Sequence, residues 1–135
     1  MDVGKIEKNS EEAFIFFVLY ICAQDLVIDD LEIERLKQNL LICRNVHFDK
    51  FNKTSDSIFD EVVKKIGQFF QSSGNVFCKE IISDEEKKII SNLMDNQLIQ
   101  ELSLITAIEA ASADGFHKIE NKKYRYWNKL WSKDF

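Results

Sequence analysis

The chain has 135 residues, 45% hydrophobic and 30% charged, which suits one globular domain able to bury roughly two-thirds of its unfolded surface and excludes disorder. It has no proline and four glycines, so the punctuation of a turn-rich β protein is missing and long helices are expected. The net charge of −5 argues against nonspecific binding to nucleic acid or to an anionic membrane.

Ser10 followed by Glu11 and Glu12 is a helix start, because a Ser oxygen accepts orphan backbone N–H groups and acids complement the positive helix end. The first helix is expected to reach about Gln24. From Phe14 to Ile21 it is apolar on every side, which predicts a helix surrounded by others at the centre of the core. The apolar run Ala13 to Ala23 is too short to span a bilayer, which takes about 20 residues, and Glu7, Glu11 and Glu12 before it spoil a signal sequence.

Asp29 is placed to cap a second helix, with Glu32 at its third position, running to about Cys43. Ile33, Leu36, Leu40 and Cys43 share its apolar face, with Glu32, Arg35 and Gln38 expected elsewhere. Arg44 to Ser55 reads as a connector whose Val46, Phe48 and Phe51 plug into the core. The third helix, about Asp56 to Gln71, has the clearest stripe: Ile58, Phe59, Val62, Val63, Ile66, Phe69 and Phe70. Asp60 with Lys64 and Glu61 with Lys65 lie on its other side, in the favourable acid-before-base order. Ser72 to Asn75 ends it.

Ser83 and Glu86 form a capping box that opens a fourth helix, expected from Asp84 to Met94. The fifth starts near Asp95 or Asn96 and is expected to turn Leu98, Leu102, Ile105 and Ile108 inward. Its Ala107, Ala110, Ala111 and Ala113 permit close helix approach, and Gly115 stops it. The sixth runs from about Lys118 to Ser132, with Ile119, Tyr126, Trp127 and Leu130 on its inner side. The whole reads as an all-α, single-domain bundle of about six helices.

Two loops interrupt this pattern in a related way. Ala113-Asp114-Gly115 is followed by Glu120, and Asp25 is followed by Ile28 and Glu32, each between an apolar helix and a helix that restarts among charges. This arrangement resembles the TerB-like (tellurite-resistance protein B) helical domain, whose Ala-Asp-Gly-x-Ile-x-x-x-Glu pattern occurs twice between helices, and the likeness extends in helix order from about Phe14 to Leu130. Leu26 stands where the first motif has Gly, His117 where the second has Ile, and Asn121 where its Glu would fall. The resemblance implies a bundle built from two pseudo-repeated helix-loop-helix units. It also implies an acidic surface for divalent cations in a bacterial tellurite-resistance or stress-response setting.

The residues themselves allow two readings of that surface. Asp25, Asp29, Asp30, Glu32 and Glu34 place five carboxylates in ten residues with no base until Arg35, and hard oxygen donors of this kind suit Ca²⁺, Mg²⁺ or Mn²⁺. Asp25, Asp29, Asp114 and Glu120 are the candidate ligands. The spacing is not that of an EF-hand, because Val27 and Leu36 occupy ligand positions. The same acids also suit helix caps and ties to loop N–H groups.

Lys118 to Phe135 holds six bases against two acids, so the tail is basic and the body acidic. A protein partner could dock on the basic aromatic face around Lys122, Arg125 and Trp131, with no ion involved. Cys43 with His47 suggests a Cys–His pair without a third group, and His117 is a candidate for a mixed site with Asp114 and Glu120. No nucleophile, base and oxyanion donor converge in the sequence. Cys22, Cys43 and Cys78 have unrelated spacings, which points to reduced thiols and a cytoplasmic setting.

Overall fold

Six helices follow one another, with no strand among the described residues: α1 (Glu11–Cys22), α2 (Asp30–Cys43), α3 (Asp56–Ser72), α4 (Asp84–Ser91), α5 (Gln97–Ser112) and α6 (Lys118–Trp131). The computed structural model describes residues 5–22, 30–43, 56–72, 77, 81–112 and 118–131, without the side chains of 42, 43, 56–58, 118 and 120. The expected connector from Arg44 to Ser55 therefore lies outside the described residues.

The Ser10 hydroxyl caps α1 as expected, accepting from Ala13 N at 3.1 Å and donating to the Glu7 carbonyl at 2.7 Å. Every residue from Ala13 to Cys22 is fully buried, and at about 1.5–3 kcal/mol per large apolar side chain this helix supplies much of the driving force for folding. Of its neighbours, α5 makes the broadest contact and α3 the next, with α2 and α6 completing the enclosure. From α3 come Phe59, Val63, Ile66 and Phe70, the stripe its periodicity predicts. Phe16 meets Phe70 at 5.0 Å between ring centroids, and Phe77 stands edge-on to Phe70 at 5.7 Å. No described helix is long and apolar enough to cross a membrane.

Three elements differ from expectation. α4 stops at Ser91 rather than at Met94, because the chain turns there to bury Leu93 and Met94, and Leu93 O accepts from Asn9 N at 2.9 Å. Asn96 then caps α5, its Oδ1 accepting from the N–H groups of Leu98 and Ile99 at 3.0 and 3.2 Å. The buried face of α5 is not the leucine and isoleucine set. Ile99, Ser103, Leu104, Ala107, Ala110 and Ala111 point inward, while Leu98 and Ile105 are 38% and 52% exposed. Small side chains let two backbones approach closely, so the alanine stripe takes the crowded side. On α6, Leu130 is likewise exposed, because Lys123, Trp127 and Trp131 occupy the inner face.

Helix directions follow from two sets of contacts. Asn9, at φ 59°, holds the left-handed conformation that asparagine tolerates better than most residues. Its Oδ1 accepts from the N–H groups of Asp95 and Asn96 at 3.0 and 3.1 Å, and its Nδ2 donates to Asp95 Oδ1 at 2.7 Å. The starts of α1 and α5 are thereby pinned together, and since the two helices pack along each other they run in the same direction. On α6, Trp127 donates to the Tyr20 hydroxyl at 3.3 Å and Trp131 lies 4.9 Å from Phe17. Moving forward along α6 is moving backward along α1, so α6 is antiparallel to α1.

Candidate functional site

These directions define one end of the bundle. α1 ends there at Cys22 and α5 at Ser112, and α6 begins there at Lys118. The Asn9 clamp closes the opposite end, about 18 Å away along the 12 residues of α1. Cys22 and Ser112 are the last described residues before 23–29 and 113–117, which lie outside the described residues.

Asp25, Asp29, Asp114 and His117 lie outside the described residues, as does His47. Glu120 sits in the first turn of α6, and Cys43 is the last residue of α2; neither side chain is described. Asp30 and Glu34 are exposed on α2, but Glu32, expected to face away from the apolar stripe, is only 2% exposed. Among the described residues no group of three or more His, Cys, Asp or Glu side chains is arranged to hold a metal.

The basic face of α6 is partly as expected. Lys122, Arg125 and Lys129 are exposed, at spacings of three and four that keep them on one side. Trp131 does not join them. It is 8% exposed, packed on Phe17 and, at 5.1 Å, on Trp127, because the four-residue spacing from Lys123 through Trp127 places it on the buried stripe. Tyr124 and Tyr126 are half-buried, and partial burial pushes the Tyr124 hydroxyl above its ordinary pKa.

A buried polar network just inside this end was not anticipated. The Ser83 hydroxyl accepts from Glu86 N at 3.1 Å, as a capping box requires. The Glu86 side chain does not reach back to complete the box. It turns into the core, where Oε2 accepts from the Tyr20 hydroxyl and from Lys123 Nζ, each at 2.5 Å. Lys123 also donates to the Phe77 carbonyl at 3.1 Å and lies 5.5 Å from the Tyr20 ring centroid. Glu86 and Lys123 are both fully buried, and Glu86 Oε1 has no hydrogen-bond partner among the described residues. This cluster ties α1, α4 and α6 together beside Phe77. The recurrence of Lys123, Trp127 and Trp131 every four residues was the one signal in the sequence that placed a lysine on a core stripe.

No protein-family model, no curated protein and no solved structure matches the chain.

Proposed function

We propose that the chain is a non-enzymatic helical module of TerB-like type, whose bundle end presents an acidic surface to a divalent cation or to a protein partner. Asp25, Asp29, Asp114 and Glu120 are the residues assigned to that surface. Their carboxylate oxygens are the hard donors that Ca²⁺, Mg²⁺ and Mn²⁺ prefer. One observation supports the assignment above the others: α1 and α5, the helices that precede the Asp-bearing segments in the sequence, start from the same Asn9 clamp and run in the same direction, so both helices end on one side of the bundle. Two helix-loop-helix units, α1–α2 and α5–α6, are then related as a pseudo-repeat. The setting the resemblance implies is bacterial tellurite resistance or stress response.

Calorimetric titration of metal-free protein with Ca²⁺, Mg²⁺ and Mn²⁺ tests this reading. Saturable binding is expected, weakened about tenfold or more by Asp25→Asn and by Asp114→Asn, the scale on which even outer-shell changes act. No heat at millimolar ion would remove the cation from the reading and leave these acids as helix caps and loop ties.

A second reading draws on the exposed row Lys122, Arg125 and Lys129. An adaptor docking an acidic protein there needs no ion, and its binding is expected to weaken steeply as salt rises, whereas a chelated cation is held at short range and responds far less.

A further inference from the structure

The Glu86–Lys123 pair fits poorly as a device for stability alone. Both side chains are fully buried, and taking two charges out of water costs more than their attraction returns unless every remaining polar atom is satisfied. Here Glu86 Oε1 is not, among the described residues.

What the pair does supply is position. α1 is apolar on all sides from Ala13 to Cys22, so hydrophobic burial distinguishes weakly between one seating of α6 and the next. The inner stripe of α6 repeats every four residues, with Trp127 beside Tyr20 and Trp131 beside Phe17. Sliding α6 by four residues, about 6 Å, carries Trp127 to the place of Trp131, or Trp131 to the place of Trp127. In each case one of the two aromatic contacts is kept. In both, however, Glu86 is left in the apolar core without its cation, and the Phe77 carbonyl loses its donor.

We propose that the Glu86–Lys123 pair, with Tyr20 and Trp127, is a register lock that selects one of several near-equivalent seatings of α6 on α1. Fixing register is the best-attested use of a buried polar group. One-turn ratchets of packed helices are the known alternative states that such a lock excludes. The lock also sets where α6 begins: a one-turn slip moves the first turn, with Glu120, by the same distance along the helix axis. That last consequence bears on the proposed acidic surface, while the lock itself stands without it.

The chain has two tryptophans, and both lie on the sliding stripe, so indole N–H signals in a proton–nitrogen correlation spectrum read the register directly. Wild type is expected to give two. The double variant E86L/K123M, which fills the same space with apolar groups, is expected to stay folded and helical, but to give more than two indole signals or exchange-broadened ones. The reversed pair E86K/K123E, which keeps an ion pair between the same positions, is expected to give two again. Two sharp signals from E86L/K123M, with the Trp131–Phe17 contact intact, would overturn the lock. Failure of that variant to fold would overturn it as well, since the pair would then be holding stability, and so would extra signals from the reversed pair.

Discussion

Lys123 and Asn9 each hold distant parts of the chain together, and each gives a sharp expectation. Lys123→Met alone leaves Glu86 buried with its charge uncompensated, a change that typically costs about 3–5 kcal/mol. A fall of that size in unfolding free energy is expected in urea titration, in contrast to the double variant with Glu86→Leu. Asn9 joins distant Leu93, Asp95 and Asn96 from a left-handed backbone. Asn9→Ala is expected to cost about 2 kcal/mol or more, from the strained conformation and the lost bonds, and Asn9→Gly to recover the conformational part. The Asn9 amide, with Lys8 at 3.7 Å assisting, holds the Asp95 carboxyl below its ordinary pKa. A carboxyl with a folded pKa below its unfolded value of about 3.9 contributes its full stabilisation above that value and loses it as pH falls through the lower, folded pKa. The acid side of the pH–stability curve is therefore expected to flatten in Asn9→Ala, measured by chemical denaturation between neutral and acidic pH.

At the scale of elements, α5 offers the cleanest contrast between its two faces. Ala107→Leu forces bulk onto the fully buried face of α5 and is expected to cost about 1–3 kcal/mol, whereas Ile105→Lys on the outer face is expected to stay within about 0.5 kcal/mol, both by thermal or urea unfolding. The sequence distinguished these faces poorly, because apolar residues fall on every side of α5 among its glutamines and glutamates and periodicity cannot say which side turns inward. Close approach decided it, in favour of alanine. α1 and α3 were legible for the opposite reason: one has no polar side between Ala13 and Cys22, and the other has a single apolar stripe at Phe59, Val63, Ile66 and Phe70. Ser83 could be read as a cap, but not the inward turn of Glu86, since its partners Tyr20 and Lys123 lie 66 and 37 residues away. The two Asp loops were legible as positions between helices. That their flanking helices share an end was not, because it depends on the Asn9 clamp.

Across the whole molecule, an acidic body carries a basic outer face on α6, and the two proposed modes of binding separate by their response to salt. The stronger of them makes a claim about place: one cation site formed where α1 and α5 end. Mn²⁺ is paramagnetic and broadens the signals of nuclei near it, so a titration followed on the amide signals of the described helix ends tests that claim most directly. Selective broadening is expected at Cys22, Asp30, Ser112 and Lys118, with Asn9, Asp95 and Asn96 at the far end unaffected and the effect removed in Asp114→Asn. Broadening centred on the Asn9 end, spread evenly over the exposed acids, or unchanged in Asp114→Asn would contradict it.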